Sequence, residues 1–384
     1  MKNSGSQNLD QTHLQHKFLS VDEEGYLVDG DHRVTDVDHG RLTFEKLKWM
    51  ENGSLGSQYW GSQNDSENNE VIIEPFDAPL VAINIFVENK ILKAEFRYEY
   101  IQTFDLKSLC LDDYDRFHGL TESGIPFVCN RKAQAALFDL ADDYDDESIT
   151  LFGENIALPT YFVDEQKVEK EKFWCDRYQN QETGWDLNQP SPILVNMFPR
   201  MKVPPSRVLV LGCGRGHDAV YFAKQGHFVT AVDISPKALE EAQKLYGSTY
   251  PNIRWVQADI FNLPRDWDQS FDLIWEHTCF CAINPTRRNE LVGIWRRLLS
   301  EHGQLLAIFF VMEKRGGPAF GASEWELRQR LQKNFRFLYW GRWRQLYSHP
   351  HSSEAVKVTE SFSQSRLGKE LFVLANKKSF TSSL

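Results

Sequence analysis

The chain has 384 residues, 41% of them hydrophobic and 25% charged, a balance that suits folded globular protein and excludes global disorder. Forty-three Lys and Arg against 54 Asp and Glu leave a formal charge of −11. That sign argues against a general nucleic-acid binder and against docking on an anionic membrane surface.

The charge is unevenly spread. Up to residue 165 there are 13 basic and 32 acidic residues, a net −19; the remainder has 30 and 22, a net +8, and holds nine of the eleven Trp. Length and composition together predict two domains. The six Cys make no C-x-x-C pair and no Cys/His cluster of zinc spacing, so no metal site is predicted. The first twenty residues lack the apolar core of a secretory leader, and no apolar run reaches 18 residues. A soluble, reduced, cytoplasmic protein is expected.

In chain order, residues 1–16 read as a polar tail and 17–160 as a strand-rich, acidic α+β domain. Phe18–Val21 and Tyr26–Val28 flank a Glu24-Gly25 turn and predict a hairpin. Arg41 to Met50 spaces Leu42, Phe44, Leu47 and Met50 like one helical face. Asn52 to Asn69, rich in Gly, Ser and Asn, reads as a long exposed loop. Val71–Ile73, Val81–Val87 and Ile91–Tyr100 predict further strands, the last two joined by a turn at Glu88-Asn89-Lys90. The acidic run Asp142–Glu147 reads as a solvated loop. Phe18–Gly30 and Ala78–Val87 resemble, over short patches, an uncharacterised domain-of-unknown-function family, which implies no activity.

Residues 161–171 read as a linker and 172–378 as a second domain. Lys172–Tyr178 is aromatic-rich and helical in pattern. Apolar strands at Arg207–Leu211, Phe228–Val232, Arg254–Gln257, Phe271–Trp275 and Gln304–Phe310 alternate with helices, the signature of a parallel sheet covered on both faces. Ser235-Pro236 opens one helix, Asn284-Pro285 precedes another over Thr286–Leu299, and Ser323 to Glu326 has the form of a capping box. Phe335–Tyr339 and Leu371–Ala375 predict an antiparallel pair at the sheet edge.

Chemistry concentrates at Val208-Leu209-Val210-Leu211-Gly212-Cys213-Gly214-Arg215-Gly216-His217-Asp218. An apolar strand runs into a glycine turn that opens a helix, where the backbone can approach a ligand that any Cβ would repel. Asp233 stands at the tip of the next strand, placed to accept from both hydroxyls of a ribose. The third glycine of a dinucleotide fingerprint is replaced by His217, and no nucleoside-triphosphate loop is present. An adenosine-containing cofactor other than a dinucleotide is therefore predicted. Cys213, Cys279 and Cys281 read as packed side chains rather than nucleophiles.

From Phe173 to about Trp343 the chain resembles S-adenosylmethionine-dependent methyltransferases of the thiopurine S-methyltransferase family, which includes plant halide and thiol methyltransferases. The matching pieces are Phe173-Trp174, Thr183–Asp186, Leu211–Asp218, Val232–Ser235, Phe271–Trp275, Cys281–Pro285 and Gly316–Pro318. The resemblance implies a Rossmann-like, seven-stranded, mostly parallel sheet of the class I methyltransferase kind. It also implies S-adenosyl-L-methionine as cofactor, with Trp174 and Trp185 as pocket walls and Gly212 and Gly214 against its methionine and ribose parts. Asp233 and Ile234 would lie at the ribose, Asp259 and Ile260 at the adenine edge, and Glu276 near the sulfonium. His277 departs from the family pattern; a histidine there is expected to bind the acceptor or take its proton. The expected acceptor is a small molecule, foremost the sulfur of a thiol or thiopurine-like compound. Halide, thiocyanate, selenium or tellurium species, and a non-catalytic cofactor-binding scaffold, are the alternatives. The opposite charges of the two halves predict that the acidic N-terminal domain docks on the basic one.

Overall fold

A computed structural model describes residues 17–53, 56–62, 70–344 and 368–379. Seven strands of the C-terminal region form one sheet. They are β1 (Arg207–Leu211), β2 (Phe228–Asp233), β3 (Ile253–Gln257), β4 (Phe271–His277), β5 (Leu299–Phe310), β6 (Phe335–Arg342) and β7 (Glu370–Lys377). Their spatial order is 3-2-1-4-5-7-6, and β7 runs antiparallel to both neighbours. The predicted parallel strands all form. The terminal pair also forms, but with β7 inserted between β5 and β6, so that only β6 of that pair is an edge strand.

The near-continuous apolar strands follow from burial on two faces. Successive side chains point to opposite sides of the sheet. Val208 and Val210 pack with Ile193, Phe198 and Phe222, while Leu209 and Leu211 join the cluster of Leu291, Trp295 and Leu327. Six helices accompany the sheet, α1 (Glu171–Gln179) at the strand ends and, over its faces, α2 (Pro192–Met201), α3 (His217–Lys224), α4 (Pro236–Tyr246), α5 (Arg288–Leu298) and α6 (Glu324–Gln332). Ser235 caps α4 by accepting from the Ala238 amide at 3.2 Å. Ser323 caps α6 in the same way, accepting from the Glu326 amide at 3.0 Å. The reciprocal half of the predicted capping box is absent, because the Glu326 carboxylate is drawn to Arg288 (2.9 Å) and Arg330 (2.7 Å).

The N-terminal region holds two six-stranded sheets and one small three-stranded sheet. Its hairpin pairs Lys17–Val21 with Leu27–Asp29 as expected. Three other expectations are corrected. The helix runs from Val37 to Glu45, capped by Asp36, and Met50 lies in a following strand, Lys48–Gly53, with Leu47 just before it. Gly56–Ser62, read as loop, is a strand in which Tyr59 and Trp60 are buried; residues 54–55 and 63–69 lie outside the described residues. The single strand expected over Val81–Val87 is two, Leu80–Ala82 and Asn84–Glu88, at opposite edges of the same sheet. In each case long-range pairing overrides local composition. One apolar cluster, with Leu19, Phe44, Phe96, Phe127 and Leu137 among its members, unites both large sheets and both helices of this region.

Charge meets charge where the two regions touch. Arg330 reaches Asp113, Arg344 reaches Glu74, and the Arg116 guanidinium lies 3.2 Å from the centroid of the Trp325 ring while pairing with Asp77 and Asp112. Tyr59 donates to Glu313, and Ser323 donates to Asp77 at 2.8 Å. No helix among the described residues is long and apolar enough to cross a membrane.

Candidate active site

The strand ends of β1, β2 and β4 open on a cavity of about 590 Å³, within the roughly 300–1,000 Å³ usual for small-molecule sites. Its floor is the glycine turn after β1. Gly212 and Gly214 have φ of +61° and +53°, and a Cβ at Gly214 would stand 2.8 Å from the Tyr178 hydroxyl oxygen. Only glycine meets both conditions without strain.

Asp233 holds this turn in place. One carboxylate oxygen accepts from the Gly214 amide (2.8 Å) and the other from the Ser235 amide (2.8 Å). Burial pushes its carboxyl upward, against the opposing pull of those amides. A carboxylate has about four acceptor positions, and the Ile234 amide also reaches this one, so acceptor capacity remains for a ligand but not all of it. Asp259 is spent differently: it caps a short turn by accepting from the Phe261 amide (2.9 Å) and also accepts from the Asn262 side chain (2.7 Å). Ile234 and Ile260 complete that wall.

Helix α1 and the loop after it form an aromatic roof. The Trp174 and Trp185 rings meet edge-on at 5.8 Å, and Tyr178 meets Trp185 at 5.9 Å. The Trp174 indole N–H donates to the Val168 carbonyl at 2.8 Å, which fixes the ring. The loop carrying Trp185 is clasped to the glycine turn through Asp186, which pairs with Arg215 (2.7 Å) and His217 (3.2 Å). Burial opposes ionisation of Asp186, but the His217 and Arg215 bonds outweigh it and hold its carboxyl at about 2.

The far end of the cavity is built by β4 and the loops beyond it. His277 Nδ1 lies 2.9 Å from Asp218 Oδ2. The same oxygen accepts from the Trp275 indole (2.8 Å), and Asp218 Oδ1 accepts from the Ser191 amide (2.7 Å). Burial pushes the Asp218 carboxyl up, yet the His277 bond and these donors leave it below its ordinary value. Met312, Pro318 and Ala319 close this end. The loop bearing them is pinned: the Phe320 amide donates to the Cys281 carbonyl (2.7 Å) and the Gly317 amide to Glu165 (3.3 Å).

Four lining side chains, Arg177, Gln189, His277 and Asn284, each carry a buried nitrogen or oxygen without a protein partner. Leaving such groups unmet costs about 1–3 kcal/mol each, so their gathering around one cavity marks a place where a polar ligand completes the bonding.

The comparisons with known proteins agree with this geometry. The family model described as Thiopurine S-methyltransferase (TPMT) matches residues 169–366, about half of the chain. The chain belongs to that family.

Thiocyanate methyltransferase 1 of Brassica oleracea is 35% identical over 179 residues, 44% of this chain and 75% of that protein. Thiopurine S-methyltransferase of Francisella tularensis is 23% identical over 188 residues, 44% of this chain and 83% of that protein. Among solved structures, the 1,6-didemethyltoxoflavin-N1-methyltransferase of Burkholderia thailandensis is 19% identical, with a TM-score of 0.43, covering 62% of this chain and 99% of that one. The family match begins at residue 169, so the strand-rich N-terminal region lies outside it.

Within this thiopurine S-methyltransferase fold, Trp174, Trp185, Gly212, Gly214, Asp233, Ile234, Asp259, Ile260 and His277 all line the one cavity. Glu276 does not. Its carboxylate turns inward to accept from the Cys279 (3.0 Å) and Phe280 (2.7 Å) amides, and burial pushes it up to about 7. It shapes the turn after β4 rather than the cavity wall. Cys213 does line the cavity, half-buried and packed against the core beneath, and burial pushes its thiol up. Tyr178, Arg177 and Gln189 also line the cavity, and Asp218, in sequence only the last residue of the glycine motif, bonds across to β4. Its neighbour in the motif, His217, offered no hint that the partner of Asp218 would be a histidine on β4.

Proposed function

We propose that the chain transfers a methyl group from S-adenosylmethionine to the sulfur of a small thiol, with His277 as the group that takes the thiol proton. One observation supports it above the rest: a single cavity gathers the glycine turn, Asp233, two tryptophans and His277 at the strand ends. The residues fit the cofactor. Asp233 has acceptor positions left for ribose hydroxyls, and the indole faces of Trp174 and Trp185 suit a cation. The unmet polar atoms of Arg177, Gln189 and Asn284 suit a charged amino-acid tail. Bound S-adenosylmethionine supplies an electrophilic methyl on a sulfonium sulfur. The chain's part is to orient, exclude water and manage one proton.

The thiopurine- and thiocyanate-methylating relatives support a sulfur acceptor. Residues 17–160 and 172–378 are taken as two domains joined by 161–171, a division supported by their separate apolar cores. Paired Arg and acidic side chains at the seam support intramolecular docking of the acidic half. Six cysteines, none of them in a disulfide, suit a reducing, cytoplasmic setting.

Calorimetric titration tests the cofactor: S-adenosylhomocysteine is expected to bind and NAD is not. Binding of neither would sink the reading. Radiolabelled methyl transfer to a panel of thiols, iodide, thiocyanate and selenite then tests the acceptor, with the thiols expected to be labelled fastest.

A further inference from the structure

We infer that Asp218 is a positioning residue which locks His277 in the Nδ1-protonated form, so that the site selects acceptors arriving with a proton, thiols rather than iodide or thiocyanate. The inference rests on the methyltransferase reading above and deepens it.

The geometry is specific. Asp218 accepts three hydrogen bonds, from the Ser191 amide on Oδ1 and from Trp275 and His277 on Oδ2. These come from the start of α2 and from two alternate positions of β4, so one carboxylate fixes the ring's place and plane. With the carboxylate ionised, His277 Nδ1 must be the donor. The neutral ring then carries its lone pair on Nε2. That nitrogen is buried and has no protein partner, on a side chain of the cavity wall. In the neutral ring this nitrogen is an acceptor, which a donor from the ligand would satisfy, and a thiol S–H is one.

The proton is what separates the acceptor classes. A thiol with an ordinary pKa near 8.5 is mostly protonated at neutral pH, and its thiolate is the nucleophile. Nε2 takes the S–H proton as the sulfur lone pair forms the new S–C bond. The electron pair of the broken C–S bond stays with the departing sulfur, leaving a methyl thioether and S-adenosylhomocysteine. The imidazolium, steadied by Asp218, returns its proton to water. Iodide and thiocyanate reach the site already unprotonated and gain nothing from Nε2.

Competition between a thiol and iodide on the full chain tests this. In His277→Phe, which keeps a ring at the position, the thiol-to-iodide ratio of kcat/KM is expected to fall about a hundredfold, the low end of general-base effects. Asp218→Asn is the second variant. An amide accepts on only one of its two atoms, so the three donors cannot all be met. The ratio is expected to fall about tenfold there, short of the hundredfold or more for losing a general base, because the base remains but is misheld.

The independent readout is the imidazole nitrogen spectrum of the complex with S-adenosylhomocysteine. In the natural protein Nδ1 is expected to be protonated and Nε2 bare, and Asp218→Asn is expected to mix the two forms. Equal loss toward thiol and iodide, or no change in the ratio, would overturn the inference. So would a protonated Nε2 beside a bare Nδ1 in the natural protein. Failure to bind S-adenosylhomocysteine would instead strike the parent reading, while the nitrogen spectrum of the free chain still decides the locked ring.

Discussion

Two polar interiors of this molecule are built on opposite rules. At the seam between the two regions, around Asp77, Asp112, Glu313 and Arg330, charged groups answer one another, and among the fully buried side-chain atoms of the described lining residues only Glu74 Oε1 lacks a hydrogen-bond partner. In the cavity at the strand ends, four lining side chains keep an unanswered atom. Desolvated charge is tolerated when paired and expensive when not. Paired charge therefore marks a place that holds structure, and unpaired polarity marks one that waits for a ligand. Both sites carry similar residue types; what differs is whether the fold itself completes the bonding.

The largest effect that would sharpen this contrast is expected at the seam. Arg288, fully buried, meets the Glu326 carboxylate through Nη1 while its Nε and Nη2 stay unmet, so that carboxylate is its charge partner, and Glu326 also holds Arg330. Glu326→Ala leaves two guanidinium groups without it and is expected to cost about 3–5 kcal/mol in denaturant unfolding. Affinity for S-adenosylhomocysteine should stay within a few-fold. A stable variant that loses affinity would break the comparison.

Next comes Asp233→Ala, which belongs to both rules. It strands the Gly214 and Ser235 amides and is expected to lower stability by about 2–4 kcal/mol while abolishing measurable cofactor binding. Retained binding would remove Asp233 from the site.

Acidity should register the seam more gently. Burial pushes the Glu313 carboxyl up to about 7, whereas in the unfolded chain it ionises near 4.5. Between those values the folded state holds a proton the unfolded state has lost, so this group makes stability fall as pH rises from 4.5 to 7 and level off above. Glu313→Gln, which can still accept from Tyr59, is expected to flatten that fall in thermal melts across the window. An unchanged slope would show that Glu313 does not titrate there.

The smallest effect is expected at the cavity roof. Trp174→Ala should weaken S-adenosylmethionine binding about three- to thirty-fold with little loss of stability, since one aromatic face for the sulfonium and one half-buried ring are removed. Equal weakening in stability and binding would make Trp174 a core residue.

Legibility in the sequence divides along the same line. The glycine turn, Asp233 and the two tryptophans were readable because each sits in a contiguous motif whose backbone demands are local, as the φ values at Gly212 and Gly214 bear out. Glu276 was misplaced, because a strand-end acid can face the ligand or fold back on the following amides, and no neighbouring residue says which. In the N-terminal region the hairpin at Lys17–Asp29 was legible from its turn. The strand at Gly56–Ser62 was not, since its polar composition argues for a loop until Glu70–Pro75 pairs with it.

By itself the sequence determined the parallel sheet, its class and the glycine turn, because period, apolar runs and glycine spacing act within a few residues of chain. Tertiary structure alone decided the rest. His277 meets Asp218 across 59 residues, and Arg330 meets Asp113 across 217. Strand order 3-2-1-4 brings the start of α3 beside the end of β4, and the docking of two regions brings the second pair together. Such partners share no local pattern. They exist because buried charges and hydrogen-bonding groups must find one another once water is excluded.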